Sequence, residues 1–389
     1  MHQAERLKQL PPYLFARLDR KVAEARKRGV DVISFGIGDP DRPTPEPVVR
    51  RLQEAATEPA FHRYPPYEGS ARLRQAAARF MERRFGVGLD PDREVLALIG
   101  SKEGVAHLPL ALVDPGSVVL VPEPGYPVYA AGAILAGGEP YPLPLHAERG
   151  YLPDLTSVPQ EVLARTRLLW LNYPNNPTGA TASPAFFAEA VALARRYDFL
   201  VAHDAAYSEV AFDGYRAPSI LQVEGARDVA LEIHSLSKTF NMTGWRLGWA
   251  CGAPQAVEAL AQLKSNLDSG AFLAVQEAGA EALDRWEELA EPVRAVYQDR
   301  RDLACRRLRE LGWPVEPPKA TFYLWIPTPP GVSSAAFAER VLEETGVVVT
   351  PGSGYGPAAE GNVRLSLCLE AGRIDEAFDR WARAGIRFR

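Results

Sequence analysis

The run SLSKTFNMTGWRLGW, Ser235 to Trp249, places Lys238 among the hydroxyls of Ser235 and Ser237 and sets Arg246 a short way downstream. A deprotonated lysine amine adds to carbonyl carbon, and an arginine beside a serine hydroxyl suits a phosphate dianion. Together they describe a Schiff-base lysine with a phosphate anchor next to it, the equipment for holding pyridoxal phosphate (PLP). Ser235-x-x-Lys238 is also a spacing used by serine acyl hydrolases, but the Lys-Thr-Gly and Ser-Asp-Asn runs that accompany it there are absent from the chain. An exposed lysine in a serine-rich loop is the ordinary alternative. It weakens as groups of complementary chemistry accumulate elsewhere.

Gly100-Ser101-Lys102 ends an apolar run and opens a helical stretch, where unpaired backbone N–H groups make a phosphate cradle. Such a turn is common, and it gains meaning only beside Arg246. HDAAYSEV closes the run FLVAHD with Asp204, and Tyr207 follows one helical turn on. A carboxylate at the C-terminal end of a strand, where open α/β sheets bind ligands, can hold a proton on a pyridine nitrogen and so preserve an electron sink. His203 and Glu209 invite a metal reading, but no third ligand stands at a suitable spacing, and no metal is expected. YPNNPTG follows the run RLLWLN. Asn and Pro there are usually turn punctuation, yet the Asn176 amide and the Tyr207 hydroxyl would suit a phenolate oxygen on the same ring.

The elements that must position these groups alternate along the chain. From Glu94 the text runs VLALIG, a helix from Lys102, VVLV, a helix from about Tyr126, RLLWLN, a helix from Ser183, FLVAHD, VALEIHS and LGWACG. Continuous apolar runs between helices predict an α/β fold whose mainly parallel sheet is covered by helices on both faces. Upstream, residues 14–28 have helical spacing and stop at Gly29, DVISFGIGDPD is a short β-like run closing in a Gly- and Asp-rich turn, and a helix resumes at Glu46 after Pro45. Beyond about residue 285 a long charged helix precedes β-runs at TFYLWIP, GVVVTP and NVRLSLC, with a helix near 333–345. The expected division is an N-terminal arm and helix over 1–45, a large PLP-binding domain over 46–285, and a smaller α+β domain over 286–389 with which the arm packs.

Composition narrows the partners. The 389 residues carry a net charge of -5 with both signs mixed, which offers no basic field for nucleic acid and no polybasic membrane anchor. No run of about eighteen apolar residues occurs and the start lacks a signal-peptide core, so the expected location is the cytoplasm. Cys251, Cys305 and Cys368 form no CxxC pair and read as small core residues.

Taken in order, GSKEG, PGYPVY, YPNNPTG, HDAAY, SLSK…GWRLGW and NVRLSL match the succession of motifs in class I and II aminotransferases of the fold-type-I PLP family, and the resemblance covers nearly the whole chain. It implies that Lys238 is the Schiff-base lysine and proton shuttle and Asp204 the pyridinium partner. By the same resemblance Asn176 and Tyr207 contact the ring oxygen, Tyr126 stacks on the ring, and Ser101, Lys102, Ser235 and Arg246 bind the phosphate. Arg364 in NVRLSL resembles the clamp for the substrate α-carboxylate, a role that a planar guanidinium fills by bidentate pairing. Gly38 would offer a backbone group to that carboxylate. Tyr64 in HRYPPYEG matches a tyrosine that crosses a dimer interface to the neighbour's phosphate, which implies a homodimer with shared active sites.

Within the family, HRYPPYEG, GSKEGVAHLPLALVDPGSVVLVPEPGYPVY and PKATFYLWIP are most similar to bacterial LL-diaminopimelate aminotransferases, which implies LL-diaminopimelate and 2-oxoglutarate as substrates in lysine biosynthesis. Glu68, carried in from the partner subunit, is the candidate for the distal ammonium; a solvated loop carboxylate is its plain alternative. Tyr355 stands where that family usually has Phe. Competing readings are a broad-specificity aminotransferase of aromatic, alanine or aspartate type, a succinyldiaminopimelate aminotransferase, and a PLP-dependent C–S lyase. A PLP-binding transcriptional regulator would need an added DNA-binding domain, for which there is neither extra N-terminal length nor a basic recognition helix.

Overall fold

Six apolar runs and one proline-rich edge strand meet in one sheet. In the computed structural model, which describes residues 2–10 and 14–389, the chain forms twelve strands. They are β1 (Ile33–Ser34), β2 (Val95–Leu98), β3 (Val118–Glu123), β4 (Glu139–Pro144), β5 (Thr166–Leu171), β6 (Leu200–Asp204), β7 (Ala230–Ser235), β8 (Gly248–Gly252), β9 (Tyr323–Pro327), β10 (Val347–Val348), β11 (Thr350–Pro351) and β12 (Asn362–Ser366). Residues 1 and 11–13, part of the arm expected over 1–45, lie outside the described residues.

The large sheet has the order β2-β8-β7-β6-β5-β3-β4. Only β8 runs against the rest, pairing antiparallel with both β2 and β7. The mainly parallel α/β sheet read from the sequence is therefore the observed one. Side chains alternate across it. In β5, Leu168 and Trp170 join one core with Ala202 and Ile233, while Leu169 and Leu171 join another with Val201 on the opposite face. Both sets are fully or almost fully buried, which explains why these strands read as continuous apolar runs and not as alternating ones.

Strand β4 has no counterpart in the sequence reading, which passes from the helix after Tyr126 directly to RLLWLN. Its sequence EPYPLP carries proline at every second position. Proline lacks the N–H a central strand must donate, so such a run reads as loop; β4 is tolerated because it lies at the sheet edge, beside β3 alone. The helix expected from about Tyr126 begins at Val128.

The covering helices follow local rules. In the helix Pro184–Tyr197 the Ser183 hydroxyl accepts from Phe186 N, proline occupies the first turn, and Asp198 closes it in the left-handed conformation. Phe186, Phe187, Ala190, Val191 and Ala194 form its buried stripe. Truncating Phe187, wholly buried, to alanine would cost about 3–5 kcal/mol.

The C-terminal part begins with the long helix Trp286–Glu310 and carries the antiparallel sheet β11-β12-β9. Tyr297, Trp313, Phe378 and Trp381 form the heart of its separate core, which also takes in Ile33 and Phe35. β1 pairs in parallel with β10, and Ala25 of the helix Leu14–Lys27 packs on Leu342 and Val348. The N-terminal segment is thus bound to the C-terminal part, and residues 35–45 run from there towards the large sheet. Among the described residues no helix is long and apolar enough to cross a membrane. Cys251 and Cys305 are buried and Cys368 partly so, all three as free thiols.

Candidate active site

One cavity of about 420 Å³ gathers residues from across the chain. Of the thirteen candidates, Gly38, Ser101, Lys102, Tyr126, Asn176, Asp204, Tyr207, Ser235, Lys238, Arg246 and Arg364 line it. Topology accounts for most of this. β2, β3, β5, β6 and β7 all run the same way, so the segments leaving their C-terminal ends carry Ser101, Tyr126, Asn176, Asp204 and Ser235 to one edge of the sheet.

At one end of the cavity the helix Ser101–Leu112 presents its N-terminus. Its N-cap Gly100 has φ 75° and ψ 154°, a conformation nearly restricted to glycine. A Cβ there would lie 2.3 Å from Arg246 Nη2, so the absent side chain is what admits the guanidinium. Arg246 itself adopts φ 53°, an uncommon conformation for a side-chain-bearing residue, and its Nη1 donates to Thr243 O at 2.7 Å. Ser235 caps the short turn Leu236–Thr239 by accepting from Ser237 N, which leaves its own O–H available as a donor.

At the other end Asp204 terminates β6, nine-tenths buried. Its Oδ2 accepts from Tyr129 Oη at 2.8 Å and its Oδ1 from Ala206 N at 3.3 Å. Burial pushes its pKa up, against the pull of these two donors. A carboxyl so placed favours a cationic hydrogen-bond partner, such as a protonated pyridine nitrogen. Tyr207 does not continue into a helical turn as the sequence suggested. Residues 205–209 form turns closed by Ser208 N to Ala205 O and Val210 N to Tyr207 O, and Tyr207 Oη lies 3.0 Å from Tyr323 Oη. Burial raises its pKa well above that of free tyrosine, so it stays a donor.

Between the two ends Lys238 Nζ donates to Gly38 O at 2.8 Å. Burial lowers its pKa, and the positive charges of Arg246 and Arg364 press the same way. That is the direction a base working near neutrality needs. Arg364, almost wholly buried in β12, sends Nη1 to Asn176 Oδ1 at 2.9 Å and Nη2 to Gly36 O at 2.6 Å, with its guanidinium 4.2 Å from the centre of the Tyr323 ring. Because arginine only donates, Asn176 must turn its oxygen to Arg364, which leaves its NH₂ for another acceptor. Gly38 sits so close to Tyr323 that a Cβ would meet its hydroxyl at 2.0 Å.

The donor set fits pyridoxal phosphate. A helix N-terminus, a hydroxyl and a guanidinium converge where a dianion would sit, a buried carboxyl lies opposite, and an amine and an amide stand between them. Tyr64 and Glu68 are outside the cavity, on an exposed loop where Tyr64 is 86% accessible.

Three cavity contributors with polar side chains escaped the sequence reading. Tyr129 lies three residues beyond Tyr126, where helical spacing could have paired them; its ring stacks on Trp170 with centroids 5.0 Å apart. Asn172 ties Asp204 O to Asn176 N through its amide, at 2.8 Å each. Tyr323 lies in TFYLWIP, which read only as a β-run. The metal reading of His203 and Glu209 fails on geometry. Glu209 accepts from Arg84 and Trp286, whereas His203 faces Glu232 and Tyr173.

The chain as a whole is similar to known proteins. The sequence profile described as "Aminotransferase class I and II" matches residues 30–380. The LL-diaminopimelate aminotransferase of Moorella thermoacetica is 57% identical, over 98% of each chain. The apo structure of BacF from Bacillus subtilis superposes with a TM-score of 0.96 at 37% identity, over the whole of both chains. A structure named as a probable N-succinyldiaminopimelate aminotransferase of Thermus thermophilus has a TM-score of 0.89 and 39% identity, over 95% of this chain and all of that one.

Proposed function

This chain belongs to the class I and II aminotransferases, enzymes that work with pyridoxal phosphate, and we propose that it exchanges the amino group of LL-diaminopimelate with 2-oxoglutarate in lysine biosynthesis. The observation that carries the choice of substrate is the 57% identity to a protein of that name over essentially the full length.

Pyridoxal phosphate, once bound, supplies the electron sink that lets negative charge develop at the substrate Cα. The chain's own groups do the rest. Ser101, Lys102, Ser235 and Arg246 anchor the phosphate, Tyr126 lies against the ring, and Asp204 holds a proton on the ring nitrogen. Asn176 and Tyr207 donate to the ring oxygen. Arg364 and the backbone of Gly38 grip the substrate carboxylate, fixing which Cα bond is presented. Lys238 Nζ takes the Cα proton and returns it, for which its lowered pKa suits it.

The active unit in this reading is a homodimer of cytoplasmic chains, divided as residues 1–45, 46–285 and 286–389. Tyr64, Tyr67, Leu267 and Phe272 leave apolar surface exposed, as a face covered by a second copy would. On that face the partner's Tyr64 reaches the phosphate and the partner's Glu68 the distal ammonium of the substrate.

The test is the visible band of the PLP-loaded enzyme. Bleaching by LL-diaminopimelate and then by glutamate is expected, with kcat/KM for LL-diaminopimelate at least a hundredfold above that for aspartate. The similarity to the Thermus protein makes N-succinyl-LL-diaminopimelate the second donor to assay. If the succinylated compound is preferred, or glutamate alone bleaches the band, the LL-diaminopimelate reading is wrong.

A further inference from the structure

Behind the cavity, on the opposite face of the large sheet, lies a polar cluster that the chemistry above does not use. His203 of β6 and Glu232 of β7 are cross-strand neighbours in register, and both are fully buried. Since side chains alternate, they project away from the face that carries Asp204. The Glu232 carboxylate accepts from His203 Nδ1 at 2.9 Å, His234 Nε2 at 2.7 Å, Ser219 Oγ at 2.9 Å and Ile220 N at 3.0 Å. Burial would raise its pKa, but the hydrogen bonds from His203 and His234 outweigh burial and hold it below the usual carboxylate range. A carboxylate taken out of water in this way needs a cation close by.

Two rings face the carboxylate, His203 and His234, and it is the second contact of His203 that bears on its charge. His203 Nδ1 faces the carboxylate, and its Nε2 lies 2.8 Å from Tyr173 O. A carboxylate and a carbonyl are both pure acceptors, so each contact requires an N–H on the ring. A neutral ring would leave a lone pair 2.8 Å from the carbonyl, with only the Tyr173 N–H, 3.3 Å away, in compensation. Against the ring from the helix Pro184–Tyr197 packs the apolar Phe187, centroids 4.8 Å apart.

We propose that His203 is an imidazolium at neutral pH and a positioning residue for the active site, bridging Glu232 to the Tyr173 carbonyl and so locking together the three segments that deliver Asn176, Asp204 and Lys238. Tyr173 lies three residues before Asn176, His203 immediately before Asp204, and Glu232 three residues before Ser235 and six before Lys238. Across the sheet Asn172 makes the complementary tie, from its amide to Asp204 O. The strand ends are thereby held from both faces, where a displacement of about 1 Å in a reacting group can cost a hundredfold in rate. The charge has a second consequence. Asp204 is pushed up by burial, and a positive ring on the adjacent residue opposes that push.

The inference rests on Asp204 and Lys238 as cofactor groups, though not on the identity of the amino donor. Its first test uses protein ¹⁵N-labelled at histidine, without cofactor and loaded with PLP, at pH 7.5. Long-range ¹H–¹⁵N spectra should show both ring nitrogens of His203 protonated, with the signal assigned by its loss in His203→Gln. One unprotonated nitrogen overturns the proposal. Should His203→Gln fail to fold, neutron diffraction of the wild type reads the same two protons.

The second test compares wild type with His203→Gln and Glu232→Gln. Both variants should show at least a tenfold slower single-turnover bleaching by saturating glutamate, a glutamate KM within threefold of wild type, and a displaced pH midpoint of the visible band. A purely structural role would lower Tm and leave the rate and midpoint alone, and that result refutes the positioning role. Only PLP and glutamate are used, so an error in the LL-diaminopimelate assignment leaves both tests standing, whereas a wrong cofactor site would show as no band in the wild type.

Discussion

Replacing Arg364 by lysine tests whether the site reads the part common to all its substrates. The guanidinium is almost completely buried and already engages two acceptors, Asn176 Oδ1 and Gly36 O. A single ammonium cannot satisfy both of these and also present a planar fork to a carboxylate. Losing one charge-assisted hydrogen bond to the substrate removes about 1.5–3 kcal/mol. At about 1.36 kcal/mol per tenfold, kcat/KM should fall roughly ten- to a hundredfold. Leaving Asn176 Oδ1 or Gly36 O without its partner should also lower stability by about 1–3 kcal/mol. The assay is steady-state turnover of Arg364→Lys with LL-diaminopimelate, glutamate and alanine as donors, normalised to bound PLP through the visible band. The decrease should be shared by all three donors, because each presents the same α-carboxylate. A loss confined to one donor would show that Arg364 reads a side chain, and less than a threefold loss in every case would refute the clamp.

Four further outcomes are expected. Lys238→Ala should abolish turnover while PLP still binds, and borohydride should fix the cofactor to the wild type but not to the variant; retained activity would remove Lys238 from the chemistry. Gly100→Ala adds a Cβ 2.3 Å from Arg246 Nη2 in a conformation that costs about 1–3 kcal/mol, so PLP affinity measured by fluorescence titration should fall at least tenfold, and an unchanged affinity would mean that Arg246 does not need that approach. Tyr129→Phe removes the donor to Asp204 Oδ2 and should weaken PLP binding by about 1–3 kcal/mol, whereas binding equal to wild type would show that Tyr129 has no influence on Asp204. Because the folded-state pKa of Glu232 is depressed, the stability it contributes is complete above the pKa of an unfolded glutamate, about 4.3, and is lost as pH falls below it, by about 1.4 kcal/mol per pH unit. Urea unfolding at pH 7 and below pH 4 should therefore show the gap between wild type and Glu232→Gln shrinking with acid, and a constant gap would contradict the charged carboxylate.

Much of the molecule was legible because the decisive signals are local. A parallel strand buried on both faces must be apolar throughout, so RLLWLN and FLVAHD announce themselves, and the residues just past their ends sit where a parallel sheet opens. Lys238 among hydroxyls and Asp204 at a strand end carry their chemistry in residue type and place. β4 was missed for the converse reason, since EPYPLP has the composition of a loop and becomes a strand only because an edge forgives absent donors. The spacing of Tyr207 one helical turn beyond Asp204 did not foretell the turns at residues 205–209, which close through their own backbone hydrogen bonds.

The sequence by itself determined which residues are chemically able to hold a phosphate, a pyridine nitrogen and a carboxylate, because nucleophilicity, charge and hydrogen-bonding capacity belong to the side chain, and strand polarity carries most of these residues to one edge. Only the tertiary structure decided their environment. Tyr129 reaches Asp204 across 75 residues, Tyr323 meets Tyr207 across 116, and Arg364 finds Asn176 across 188. Such pairs leave no periodic trace in the chain. They arise when burial removes water and obliges each polar atom to find its partner within the protein.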